Sequence, residues 1–145
     1  RQAFLSMVDR GEFLEWAEFN SQLYGTTRGF VERHIEEGKD VILDIDPQGA
    51  AQLRRVYTDG IFVFVLPPSW EQLEERLRAR KSDAPEEIER RLRKARDEMK
   101  VFTEYHYVVI NDVFERAVED LYAIIVAERC RSVRLDSRVR EELGI

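Results

Sequence analysis

The sequence predicts an α/β protein with a mostly parallel sheet flanked by helices, and two observations carry this prediction. The runs at residues 41–46 and 61–66 are short, rich in β-branched residues and nearly all apolar, and proline follows each of them. Such runs are typical of parallel strands buried on both faces. Because helical patterns separate these runs and a third candidate strand at residues 107–110, we expect βαβ units.

The helices are predicted from the residues that begin or end them. Residues 27–37 form a helix that Gly38 ends, because glycine readily takes the left-handed conformation at a helix C-terminus. Ser69 is a good N-cap for a helix from residue 70 to 80, and Pro85 opens the next helix at its first turn. The apolar or aromatic residues expected to face the core from the helices are Phe4, Met7, Val8, Phe30, Val31, His34, Phe114, Val118, Leu121, Ile124 and Ile125.

Length and composition indicate one domain and exclude several classes of protein. The 145 residues include 23 Lys+Arg and 29 Asp+Glu, and this net charge of −6 argues against generic binding of nucleic acid or of anionic membranes. No apolar run approaches the ~20 residues of a membrane span. The single cysteine, Cys130, cannot form an intrachain disulfide, so we expect a cytoplasmic protein.

Two aspartates end the first predicted strand. Asp44 and Asp46 are two residues apart, so their side chains share one face of a strand. Ligands of open α/β sheets bind beyond the carboxyl ends of the strands, which makes both residues candidate ligand contacts. The alternative is that each one caps a loop or pairs with an arginine.

The segment from residue 11 to 27 is dense in polar donors and acceptors. Glu15 lies between Leu14 and Trp16, so its carboxylate is expected to be partly buried and open to a functional role. The competing interpretation is a β-ribbon with Glu15 on its solvent-facing side.

A basic cluster follows the second predicted strand. Arg76 and Arg80 are i,i+4 neighbours on one helix face, and guanidinium groups suit phosphate oxygens because they donate two parallel hydrogen bonds. Arg78, Arg90 and Arg93 are interpreted as surface residues. The expected surface ion pairs are Glu74–Arg78, Glu86–Arg90 and Glu87–Arg91.

Two further motifs are interpreted as structural. Gly38-Lys39 is a helix end and not a phosphate loop, since no glycine precedes Gly38 by five residues and Asp40 replaces the required Ser/Thr. His34 and His106 are too isolated for a metal site or a catalytic triad.

Taken in order and spacing, a set of strings resembles guanylate kinase up to about Cys130. The strings are GEFLEWAEFNSQLYGTT, VILDIDPQGA, VFVLPPS, LEERLRAR, EEIERRL and YVVIND. The resemblance implies a P-loop nucleotide-kinase fold with a GMP-binding lobe, a parallel-sheet core and a mobile helical lid. The implied division is 1–26 for part of the GMP lobe, 27–70 and 102–131 for the core, 71–101 for the lid and 132–145 for a charged tail, a weakly docked helix or arm.

The resemblance also implies roles for individual residues. It implies guanine contacts from Glu15, Thr26 and Asp46, and a contact of Tyr24 with the GMP phosphate. It implies that Asp44 lies near the phosphates and the metal. The remaining implied residues are the lid arginines Arg76, Arg80 and Arg91, which reach the ATP and the transferring phosphate, and Asn111 near the adenine.

The implied reaction is phosphoryl transfer from ATP, carried with Mg²⁺, to GMP. The family's first strand and phosphate loop have no counterpart in these 145 residues. We therefore expect the chain alone to be inactive and to show low stability or self-association as a homo-oligomer. Lys81 replaces the usual lid glycine, which is expected to stiffen the hinge. A guanylate-kinase-like protein-interaction module without catalysis is the alternative function.

Overall fold

A computed structural model describes residues 1–19, 21–79 and 84–145. Arg80 and Lys81 therefore lie outside the described residues. The chain divides into two compact units, Arg1–Ile61 and Phe62–Ile145.

The first unit contains three helices and an antiparallel hairpin. Its elements are α1 (Gln2–Asp9), β1 (Phe13–Phe19), β2 (Gln22–Thr27), α2 (Arg28–Glu36) and α3 (Pro47–Val56). β1 and β2 pair with Trp16 opposite Gly25, and the register shifts between Phe13 and Glu15. The polar segment is thus a β-ribbon, and α3 packs against its first strand.

The predicted helix at residues 27–37 is confirmed as α2, and Gly38 follows it with a φ of +74°, the conformation expected of a glycine helix end. Val31 is buried as predicted. Phe30 is not a core residue, because 47% of its surface stays exposed and its ring lies against His34.

The predicted strand at residues 41–46 is wrong for the part of the chain that the structure describes. These residues form no ladder there with another strand, although their exposure alternates residue by residue as in an extended chain. The run has the apolar, β-branched composition of a strand. A strand also needs a hydrogen-bonded neighbour, however, and composition does not supply one. Asp44 and Asp46 are both exposed on this segment.

The second unit contains the parallel strands. Its elements are β3 (Val63–Leu66), α4 (Trp70–Ala79), α5 (Pro85–Met99), a short 3-10 helix (Phe102–Glu104), β4 (Tyr107–Ile110), α6 (Phe114–Arg129) and α7 (Ser132–Leu143). β3 and β4 pair in parallel from Val63 opposite Tyr107 to Leu66 opposite Ile110. The predicted parallel pairing is confirmed for these two strands.

The helices α4 and α5 begin where the sequence predicts. The Ser69 hydroxyl accepts a hydrogen bond from the Gln72 amide at 3.2 Å, and Pro85 occupies the first turn of α5. The Arg96 guanidinium lies 4.4 Å from the centre of the Trp70 ring, a cation–π contact that ties the two helices together.

The stripe predicted to face the core from α6 is confirmed only in part. Ala117 is buried, whereas Phe114 is 68% exposed and Val118 is also exposed. Ala117 and Glu128 are the buried residues of this helix, and the exposed Phe114 is its first residue. Leu121, Ile124 and Ile125 are half-buried.

A buried carboxylate joins the end of α6 to β4. The Tyr107 hydroxyl donates to Glu128 Oε1 at 2.7 Å, and Arg131 donates to Oε2 at 3.3 Å. These hydrogen bonds, led by that of Tyr107, lower the pKa of Glu128, and the same contact raises the pKa of Tyr107.

The following helix, α7, leaves Val133 and Leu143 largely exposed, as expected of a weakly docked tail. None of the helices in the described ranges is long and apolar enough to cross a membrane.

Candidate functional site

The hairpin of the first unit holds a buried carboxylate. Glu15 on β1 is only 8% exposed, so the interpretation that places it on the solvent-facing side of the ribbon is wrong. Its ladder partner is Thr26 on β2, and the Thr26 hydroxyl donates to Glu15 Oε1 at 2.6 Å. A buried carboxylate costs free energy unless donors satisfy it, so this contact and any bound donor both stabilise it.

A β-bulge explains how Glu15 comes to be buried. Successive side chains of a regular strand face opposite sides, yet Leu14 and Glu15 are both buried. The register shift between Phe13 and Glu15 leaves Leu14 as the extra residue, and such bulges reorient neighbouring side chains. Sequence alternation alone could not place this carboxylate.

The start of α3 lies against Glu15. Asp46 is the N-cap of this helix, and its Oδ1 accepts from the Gly49 amide at 2.8 Å. A Cβ placed on Gly49 would lie 3.1 Å from Glu15 Oε2 and 3.6 Å from Asp46 Oδ1. Glu15 and Asp46, two of the three predicted guanine contacts, are therefore neighbours, and the capping alternative for Asp46 is realised through one of its oxygens.

Gln52 makes a contact that the sequence did not predict. Its side-chain amide accepts from the Trp16 amide at 3.2 Å and donates to the Trp16 carbonyl at 3.0 Å. The available signal was its position three residues after Gly49, which puts both on one face of α3. Neither residue was predicted to belong to the site.

Tyr24 and Asp44 are the other predicted residues of this unit. Tyr24 lies two residues before Thr26 on β2, so both side chains share a face of the hairpin, and Tyr24 is 59% exposed. Asp44 is exposed on the segment before α3. Both side chains are accessible to a ligand.

The second unit brings Arg76 and Asn111 together. Arg76 Nη1 donates to the Asn111 carbonyl at 2.9 Å, and Nη2 donates to Gln72 Oε1 at 3.3 Å. Both residues line a cavity of about 220 Å³ at the carboxyl ends of β3 and β4. Leu66 and Leu77 also line this cavity. This is the edge of the sheet where α/β proteins bind ligands.

Arg91 lies on α5 and donates from Nε to Glu87 Oε1 at 3.4 Å. Glu87 also accepts from Arg90, and the two guanidinium groups lower the pKa of Glu87 to about 2, with the Arg90 hydrogen bond as the largest cause. The predicted pair Glu87–Arg91 is thus confirmed. Arg90 pairs with Glu87 and not with the predicted Glu86, because the i,i+3 geometry brings Glu87 within 2.6 Å.

The surface interpretation of Arg78 is confirmed. It donates to Glu74 at 2.6 Å, and it also reaches Glu89 on α5 at 3.2 Å. Arg93 is exposed. Arg80, which was predicted to act beside Arg76, lies outside the described residues.

The residues present are compatible with a metal that arrives with its ligand. The described ranges hold no group of three or more His, Cys, Asp or Glu side chains placed to bind a metal ion. A Mg²⁺ ion bound to a nucleotide takes most of its ligands from phosphate and water, so one or two carboxylates suffice. Asp44 offers an exposed carboxylate of this kind.

Comparisons with known proteins agree on one family. The profile of the family described as Guanylate kinase matches residues 1–128. The guanylate kinase of Geobacter metallireducens is 48% identical over 142 residues, which are 98% of this chain and 70% of that protein. The guanylate kinase of Chromobacterium violaceum is 51% identical over 132 residues, which are 91% of this chain and 63% of that protein. The crystal structure of guanylate kinase from Anaplasma phagocytophilum is similar with a TM-score of 0.78 and 28% identity, over 100% of this chain and 72% of that one.

These similarities define the class as the nucleoside-monophosphate kinases, transferases with an α/β fold. The chain spans 63% to 72% of the length of these relatives. It belongs to the guanylate kinase family. The family resemblance and the α/β fold class predicted from the sequence are thereby confirmed.

Proposed function

We propose that the protein transfers the terminal phosphoryl group of ATP to GMP, giving ADP and GDP, with Mg²⁺ bound to the ATP phosphates. The observation that carries the proposal is the buried Glu15 carboxylate beside the Thr26 hydroxyl. Relatives named guanylate kinase support the same reaction.

Glu15 is proposed to read the base. Its carboxylate accepts from both the N1–H and the 2-amino group of guanine, a pair of adjacent donors that adenine lacks. Because Glu15 is buried, these charge-assisted hydrogen bonds form with little competition from water. Thr26 holds the carboxylate through its hydroxyl and is proposed to contact the base as well. Asp46 and Glu15 both lie next to Gly49, so Asp46 adds a further acceptor near the base.

The phosphate groups are proposed to be held by exposed polar side chains. Tyr24 donates a hydrogen bond from its hydroxyl to the GMP phosphate, and Asp44 would help to hold the hydrated Mg²⁺. Arg76 lies in the cavity beside Asn111 and binds ATP there, with Asn111 near the adenine. Arg80 and Arg91 are proposed to reach the phosphates when the lid closes.

The side-chain types in the two units fit the demands of phosphoryl transfer. The reaction needs two substrates in line and positive charge around the moving group, and the protein forms no covalent bond. Guanidinium groups would supply that charge when lid closure brings them to the phosphates and excludes water. The bound metal would neutralise phosphate charge.

The test is a calorimetric titration of the chain with GMP and with AMP. We expect GMP to bind at least about 10²-fold more tightly, since AMP lacks the two adjacent donors that guanine offers to the buried carboxylate. Equal affinity for GMP and AMP would contradict the proposal. Replacing Thr26 with valine keeps the shape and removes the hydroxyl, and it should weaken GMP about tenfold.

A further inference from the structure

The side chain of Gln52 closes the free edge of β1 beside Glu15. Its amide group offers one acceptor and one donor, and it uses them on the N–H and the C=O of Trp16 at 3.2 and 3.0 Å. Trp16 lies opposite Gly25 in the ladder with β2. Alternate residues of an antiparallel strand turn these groups away from their partner strand, so Gln52 takes the place of a further strand at this one residue.

The main chain at Glu15 and Trp16 is therefore held from two sides. On one side, a Cβ on Gly25 would lie only 2.6 Å from the Glu15 carbonyl oxygen, so β2 approaches β1 very closely there. On the other side, Gln52 makes hydrogen bonds with the N–H and the C=O of Trp16. Because β1 is held on both edges, the backbone atoms from which the Glu15 side chain extends are fixed in position.

The helix α3 contacts the same residue pair at a second point. Gly49 lies three residues before Gln52, so both face β1, and a Cβ on Gly49 would lie 3.1 Å from Glu15 Oε2. The hydrogen bonds of Gln52 thus set the distance between α3 and β1. At that distance, Gly49 lies next to the Glu15 carboxylate. A small shift of α3 relative to β1 would therefore move Gly49 and change the space available to the Glu15 carboxylate.

We propose that Gln52 is a positioning residue for base selectivity, which places the Glu15 carboxylate so that both oxygens meet the two donors of guanine. The inference rests on the proposed function. Gln52 acts through the main chain of Trp16 and touches neither the base nor the reacting phosphate.

The experiment compares the affinities of GMP and inosine monophosphate, IMP. IMP keeps the N1–H of guanine and lacks the 2-amino group, so the affinity ratio reports whether the carboxylate still meets both donors. Titrations are made well below the melting temperature on the wild type, on Gln52→Met and on Gln22→Met. Methionine keeps the length of Gln52 and removes both hydrogen bonds, and Gln22 is an exposed glutamine of β2 that serves as the control.

We expect Gln52→Met to weaken GMP about tenfold and to lower the GMP-to-IMP ratio at least about threefold, with no change for Gln22→Met. Gln52→Glu keeps the acceptor for the Trp16 N–H and loses the donor to its carbonyl, so it should lower the ratio as well. That variant carries the test if Gln52→Met does not fold.

A ratio within about twofold of the wild type in the folded variants, with only the melting temperature lowered, would overturn the inference and leave Gln52 a packing residue. An equal loss in Gln22→Met would overturn it too. A wild type that binds GMP no better than IMP and AMP contradicts the proposed function itself, and this is seen before any variant is compared.

Discussion

Replacing Glu15 with glutamine should weaken GMP binding by about 10²-fold or more. The change keeps the shape of the side chain and replaces one oxygen with an NH₂ group. The Thr26 hydroxyl donates to Oε1 at 2.6 Å, so the amide oxygen of the variant is expected to take that position. The NH₂ group then lies at the position of Oε2, where guanine presents a donor.

The magnitude follows from the burial of Glu15. Loss of one charge-assisted hydrogen bond costs about 1.5–3 kcal/mol, and a buried donor left unpaired costs about 1–3 kcal/mol more. Each 1.4 kcal/mol is a factor of ten in affinity, so the smallest sum is already close to 10²-fold. AMP should lose less, and the preference for GMP over AMP should fall.

The assay is calorimetric titration of GMP and AMP into the wild type, Glu15→Gln and Glu18→Gln. Glu18 lies on the same strand, is exposed and pairs with Arg1 at 2.9 Å, so its replacement should leave both affinities unchanged. Unchanged GMP affinity in Glu15→Gln would remove Glu15 from the site and refute the reasoning.

Three other changes test the remaining contacts. Gly49→Ala should weaken GMP several-fold because its Cβ would lie 3.1 Å from Glu15 Oε2 and push the carboxylate, while the melting temperature holds, since alanine favours a helix by about 1 kcal/mol over glycine. Arg76→Ala should weaken ATP about tenfold in a titration and leave GMP affinity unchanged, because Arg76 lines the cavity with Asn111. Tyr107→Phe should lower the midpoint of urea unfolding at pH 7, because the buried Glu128 loses a donor. The pKa of Glu128 is lowered in the folded state, so this loss should be full above its ordinary pKa of about 4.3 and should shrink as the pH falls through the lower folded value.

Each of these predictions has a result that contradicts it. A fall in melting temperature of Gly49→Ala without any loss of GMP affinity would show that the helix, and not the carboxylate, meets the new methyl group. Arg78→Ala is the control for Arg76, since Arg78 is engaged with Glu74, and an equal loss of ATP affinity in both would remove the distinction between them. A destabilisation by Tyr107→Phe that is the same at pH 3 and pH 7 would mean that the charge of Glu128 is not involved.

Local chemistry determined most of the helices. Gly38, Ser69 and Pro85 mark helix ends in the structure as the sequence predicts, because each acts through its own backbone or through a residue within one turn. The apolar runs at 61–66 and 107–110 likewise contain strands, and Val63–Leu66 pairs in parallel with Tyr107–Ile110. The order of short strings along the chain was enough for the family, since a family pattern is a property of sequence alone.

Only the tertiary structure decided which side chains are buried and what they touch. The run at 41–46 has the composition of a strand, yet strand formation depends on a neighbour elsewhere in the chain. Glu15 is buried because a bulge at Leu14 interrupts the alternation that predicts its direction. Gln52 reaches Trp16 across 36 residues, a pairing that no local pattern encodes. Helix ends depend on contacts within a few residues, whereas the placement of a carboxylate for recognition depends on the packing of a strand, its bulge and a helix that are far apart in sequence.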